Sequence, residues 1–81
     1  MRRASAMRYF FHIRDEGGLI MDREGTELPD IDAARKEARL SARDFAMDDL
    51  RGGRRVAERR IEITDGEGLM LEALQARDIV N

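Results

Sequence analysis

His12 is the chain's single histidine, and it opens the stretch HIRDEGGLIMD (12–22) beside an acidic pair and two glycines. An imidazole in such company can act as a general base or a metal ligand. Both roles need partners. The chain has no cysteine, no second histidine, and no serine or threonine set in a recognisable nucleophile motif. A lone histidine on a strand more often bonds a side chain of the neighbouring strand or sits in a contact between subunits. The residue types therefore point away from an enzyme, and no catalytic residue, cofactor or metal site is expected.

Two other constellations invite a chemical reading. The acidic run over Asp22, Glu24, Glu27, Asp30 and Asp32 has the composition of a calcium loop. A loop opening at Asp22 would want glycine at its sixth position and glutamate at its twelfth, and the chain has Glu27 and Ala33 there. A solvated loop ending in a helix cap accounts for the run. The segment RGGRRVAERR (51–60) holds Arg51, Arg54, Arg55, Arg59 and Arg60. Clustered arginines neutralise phosphates, but no aromatic residue interleaves with them for base stacking. The chain as a whole is slightly acidic, with net charge −2 although 40% of its residues are charged. Contact with an acidic partner is at least as good a reading as phosphate, and nucleic acid is kept as the alternative. Opposite charges are grouped along the chain: residues 1–14 carry +4, 15–32 carry −6, 51–60 carry +4 and 61–81 carry −4. Such blocks can meet within one subunit or between two.

The elements that position these residues follow from periodicity. Residues 1–6 read as a flexible tail, with Met7 a candidate original start, and 7–81 as one α+β domain. RYFFHIR (8–14) is an aromatic and β-branched strand. It places Tyr9, Phe11 and Ile13 on one face and Phe10, His12 and Arg14 on the other. DEGG closes a turn, and LIMD (19–22) returns. REGTELPD (23–30) is a loop. Pro29 bars helix at the residue before it, Asp30 is a fit N-cap, and Asp32 suits the positive end of the helix dipole. The helix is predicted over 31–51, ending at Gly52-Gly53. Ile31, Ala34, Ala38, Ala42, Phe45 and Ala46 form its inward seam. Ala33, Leu40 and Met47 recur on the opposite side, either as scattered exposed residues or as a contact with another subunit. Strands follow at about 59–64 and 69–75, joined by DGEG, and ARDIVN ends the chain as a short tail that adds a turn of helix or one more pairing segment.

The two hairpins match at an offset of fifty residues. Ile13, Asp15, Gly18 and Leu19 fall on Ile63, Asp65, Gly68 and Leu69, while His12 falls on Glu62. The shared residues are those that build hairpins, so Asp15 and Asp65 are read as turn residues and Gly18 and Gly68 as positive-φ positions. The predicted fold is ββαββ, a four-stranded antiparallel sheet of order 2-1-3-4 with one helix packed on one face. The uncovered face would carry Phe10, His12, Ile20 and Met70. Together with Leu40 and Met47 this is an expected interaction surface, and the open sheet edges add to it. A homodimer is the expected assembly, with a protein partner open as well. The longest apolar run is about four residues, against the ~20 needed to span a bilayer, so no membrane association is expected and a cytoplasmic location is the default. A chain this short buries only ~60% of its unfolded surface, and association would help it.

These residues also carry a resemblance. RYFFHIRD, then EGTELPD, AARKEA, SAR, DLRGGR and RRIEITD, resemble a family of short bacterial proteins known only as a domain of unknown function. Its members open with an RYFFH strand and carry G-x-E-L-P-D ahead of the helix. The likeness spans about 7–81, and the departure is the six-residue extension before Met7. The resemblance implies a complete single-domain protein and brings no activity, cofactor or site residue with it.

Overall fold

The computed structural model of the chain describes residues 6–53 and 58–79. The elements run β1 (Met7–Asp15), β2 (Gly18–Ile20), β3 (Thr26–Leu28), α1 (Ile31–Arg51), β4 (Arg60–Thr64), β5 (Met70–Gln75) and α2 (Ala76–Ile79). The antiparallel sheet has the path β2-β1-β4-β5, and β3 pairs with the first residues of β1. The expected neighbour order of the two hairpins is therefore present, with a fifth strand added.

That strand corrects the reading of 23–30 as a loop. Thr26, Glu27 and Leu28 pair with Tyr9, Arg8 and Met7. β2 is also shorter than expected, ending at Ile20 rather than Asp22. From Ile13 to Met7 is six residues, while their partners Ile20 and Leu28 are eight apart. The returning chain thus holds two extra residues between β2 and β3. It leaves the ladder at 21–25 and rejoins it. Gly25, at φ +71, makes the rejoining turn, and a Cβ there would lie 2.8 Å from the Arg8 side chain, 2.9 Å from the Phe10 ring and 2.9 Å from the Tyr9 carbonyl. Only glycine tolerates both that backbone angle and that approach.

α1 forms where its caps place it. The Asp30 carboxylate accepts from the Ala33 N–H at 2.9 Å, satisfying one of the free first-turn donors. At the far end the Gly52 N–H bonds back to the Asp48 carbonyl, and Gly53 takes the left-handed conformation at φ +74. Ala34, Ala38, Ala42 and Ala46 are fully buried, so the seam packs as its spacing predicts. It meets Tyr9, Ile61 and Ile63, with Phe11, Leu28, Ile31, Phe45 and Leu74 around them. Small residues on the helix bring it close to the sheet, but they also make a thin core. Ile61 and Ile63 are the largest side chains wholly removed from solvent. Of the two fates expected for the closing segment, a turn of helix or one more pairing segment, α2 is the first, and it packs Ala76 into the core beside α1.

The turns behave as their residues require. The Asp15 carboxylate accepts from the Gly17 N–H, and the Asp65 carboxylate from the N–H groups of Glu67 and Leu69. Gly18 and Gly68 both have positive φ, at +130 and +87.

Candidate functional site

His12 lies on the sheet face away from α1, yet it is only 8% exposed. Both of its nitrogens are engaged. Nδ1 accepts from the backbone N–H of Asp22 at 3.0 Å, and Nε2 lies 3.2 Å from Thr64 Oγ1. An imidazole that accepts at Nδ1 carries its proton at Nε2, so Nε2 donates to the threonine. Phe10 stacks beside the ring at 6.4 Å. The expected bond to a neighbouring strand's side chain is thus present. The arrangement offers no free lone pair to a metal and no free nitrogen to a substrate, and His12 is covered rather than displayed as an interaction surface.

Asp22 completes this knot. Its carboxylate accepts from the N–H groups of Phe11 (3.1 Å), Glu24 (3.3 Å) and Gly25 (3.1 Å). Burial pushes its carboxyl upward. The bonds from Phe11, Gly25 and Glu24, with a further contribution from His12, outweigh that effect and hold the group below the usual carboxylate range. Asp22 therefore organises the departure and return of the chain over 21–25.

Further along the same face, Arg14 and Arg60 stand directly opposite across β1 and β4. Like charges so placed repel. Glu62 resolves the conflict with one oxygen, which accepts from Arg14 Nε at 2.8 Å and from Arg60 Nε and Nη2 at 3.1 and 2.7 Å. The hydrogen bond from Arg14 leads in holding the Glu62 carboxyl below its ordinary range, against the effect of burial. The same bond raises the Arg14 guanidinium. The depression of about 300 Å³ bounded by Arg14, Asp15, Glu16, Glu58, Arg60 and Gln75 is open and mixed in charge. The one beside His12, of about 190 Å³, is smaller than ordinary ligand pockets. Among the described residues no three histidine or acidic side chains converge as a metal cage would require.

The arginine cluster is dispersed by its partners. Arg51 bonds Asp48 at 3.1 Å, Arg60 bonds Glu62, and Arg59 bonds Asp49 at 3.0 Å while lying 5.2 Å over the Phe45 ring. Arg54 and Arg55 lie outside the described residues. The Arg59–Asp49 pair ties the end of α1 to the start of β4, and Asp49 is buried. Sequence reading missed Asp49. Its signal is its place on the alanine seam, one helical step beyond Ala46.

Several large apolar side chains also remain exposed. Leu40 and Met47 are half exposed on the outer side of α1, and Leu50, missed in the sequence, extends their stripe. Phe10 is part-buried. Ile20 is 59% exposed but pairs with Ile13, so it shares the helix-side face rather than the uncovered one, beyond the reach of α1. Leu19, opposite Arg14, takes the uncovered face instead. Leu69, Met70 and Leu71 form a second exposed group. Their signal was three consecutive apolar residues at a strand start, which alternation cannot bury together.

Residues 8–77 match the family described as "Domain of unknown function (DUF6894)". The chain belongs to this family. No curated protein and no solved structure matches it. Among the described residues no helix is long and apolar enough to cross a membrane.

Proposed function

We propose that the chain is a non-enzymatic interaction module that associates with itself in the cytoplasm. The observation that carries this reading is the contrast between a thin core and a rich surface. Two isoleucines are the largest fully buried side chains, while ten large hydrophobic side chains of the described residues remain exposed. Patches of that kind mark contact surfaces. The polar residues that looked reactive are meanwhile engaged with one another, as His12 is with Asp22 and Thr64.

Light scattering over a protein concentration series tests it. The expected mass is twice 9.3 kDa, little changed between low and moderate salt because apolar contact is not screened. A monomer at every concentration would refute the proposal. The alternative, nucleic-acid binding through Arg51, Arg54, Arg55, Arg59 and Arg60, has less support, since Arg51, Arg59 and Arg60 each hold a carboxylate of the same chain. It requires salt-sensitive binding that falls when Arg54 and Arg55 become alanine.

A further inference from the structure

We propose that His12 and the segment 21–25 form an acid-sensitive latch, in which a proton taken up at Nδ1 of the ring releases the Asp22 N–H and lets that segment lift from the sheet face it covers. The proposal goes beyond the self-association reading and does not depend on it.

The neutral ring is the form that fits the bonds. Nδ1 accepts from the Asp22 N–H at 3.0 Å, and Nε2 faces Thr64 Oγ1 at 3.2 Å. An imidazolium donates from both nitrogens. Its Nε2–H would keep the threonine, so the ring stays anchored to β4. Its Nδ1–H would meet the Asp22 N–H, donor against donor, in a residue only 8% exposed, where an unmade bond is costly. The Asp22 carboxylate interacts favourably with the ring's positive charge and stays ionised, being held below the usual carboxylate range. It can take the Nδ1–H only by turning from the N–H groups of Phe11, Glu24 and Gly25. The two arrangements therefore exclude one another, and the proton on Nδ1 selects between them.

The charges facing the ring leave the choice to these bonds. Arg14 follows two residues on along the same face of β1. From β4, Glu62 stands opposite His12, with its carboxylate held by Arg14 and Arg60. From the turn after β4, Asp65 borders the depression beside the ring, and its carboxylate accepts from the Glu67 and Leu69 N–H groups. The returning chain contributes Asp22, and α1 packs on the opposite face. Three carboxylates against two guanidiniums do not bar another positive charge here.

The movement is confined to one segment. β2 is bound to β1 at Ile13–Asp15 and β3 at Met7–Tyr9, so 21–25 is tethered at both ends. Between them the Asp22 knot holds it, with an exposed bond from Arg8 to the Glu24 carbonyl at 2.7 Å. Gly25 lies so close to the Phe10 ring that a Cβ would stand 2.9 Å from it, and Phe10 stacks on His12. Lifting the segment uncovers both rings, so acid changes what this face displays.

Nuclear magnetic resonance from about pH 8 to about pH 5, the range in which imidazole changes charge, tests the latch. Ring nitrogen shifts follow His12. Amide protection, corrected for the intrinsic pH dependence of exchange, follows Phe11, Asp22, Glu24 and Gly25. The expected result is a ring protonated at Nε2 alone at the upper end, then one step at which it gains the second proton. At that step the four amides lose about tenfold of their protection, the scale of one hydrogen bond, while the β4 amides keep theirs. His12→Asn sets an oxygen acceptor near the place of Nδ1 and does not titrate, so it should hold the Asp22 amide across the range. Four results would each overturn the latch: Nδ1 protonated at the upper end, a ring still neutral at the lower end, ring protonation with the amides unmoved, or the same amide step in His12→Asn. The parent chain decides the first three even if the variant fails to fold, and all four read alike in a monomer or a dimer.

Discussion

The β1–β2 and β4–β5 hairpins begin alike and finish differently. Each opens its turn with an aspartate whose carboxylate accepts from the N–H two residues on, and each has a positive-φ glycine three residues after that aspartate. After the turn, β5 runs six residues along β4, whereas β2 stops after three. The divergence traces to one pair of positions. Glu62 in β4 gathers two arginines and leaves the backbone beyond it free to pair. His12 in β1 instead takes the Asp22 N–H with its ring, and the Asp22 carboxylate takes the Phe11 N–H. Side chains replace backbone partners there, and the strand ends. One edge of the sheet is thereby broken and tied down, whereas β5, which carries one register shift at Leu71, pairs with no further strand among the described residues. The polar residues that look like a reaction centre are the means by which the first edge is closed.

The largest break in that comparison is expected from Gly25→Ala. The new methyl would meet Arg8, Phe10 and the Tyr9 carbonyl at 2.8–2.9 Å, on a backbone at φ +71. The backbone cost is ~1–2 kcal/mol and the crowding adds ~1–3 kcal/mol, since the Tyr9 carbonyl cannot move aside. A loss of about 3 kcal/mol is expected in urea unfolding, large for a domain with so thin a core. A loss below about 1 kcal/mol would mean that the 21–25 segment is free to rearrange.

Asp22→Ala comes next. It strips acceptors from three N–H groups, two of them part-buried, at a cost of about 2 kcal/mol. Acid sharpens the point. Asp22 and Glu62 both titrate below the usual carboxylate range in the folded chain. The stability they add is therefore complete above the ordinary carboxylate pKa. It falls away as pH drops through their lowered values, below about pH 4. Asp22→Asn removes one of the two groups, so its stability should decline less steeply than the parent's between pH 5 and pH 2, a range set by the same linkage. Parallel acid limbs for the two proteins would show that the Asp22 knot is not formed in solution.

These residues also mark how far the sequence could be read. Helix α1, its Asp30 cap and its alanine seam follow from spacing and local chemistry, and Ile31–Arg51 matches the predicted span. The turns were legible for the same reason, because Asp15 and Asp65 act on residues two to four places away. β3 was not legible. Thr26–Leu28 is a strand because Gly25 and Asp22 steer it back onto Met7–Tyr9, some twenty residues distant, and nothing in its own three residues requires that. The covering of His12 was likewise hidden, since it depends on where Asp22 returns. The face of Ile20 is not legible either, because a strand over 19–22 says nothing of its own pairing register, and pairing with Ile13 decides the face. Clustered arginines in sequence gave no hint that Asp48, Asp49 and Glu62 would divide them.

The smallest effect is expected from Gly68→Ala, and its size is what makes it useful. Gly68 has φ +87, much like Gly25, but a Cβ built there meets nothing within 4 Å. The two substitutions therefore share the backbone cost and differ in crowding alone. Gly68→Ala should lower stability by about 1 kcal/mol, leaving the bonds from Glu67 and Leu69 to Asp65 in place. Subtracting its effect from that of Gly25→Ala in the same urea series isolates the cost of the close approach at the closed edge. A difference near zero would place both glycines in equally open turns and remove the distinction between the two edges. A difference of about 2 kcal/mol would show that the first edge is held by packing as well as by the hydrogen bonds of Asp22.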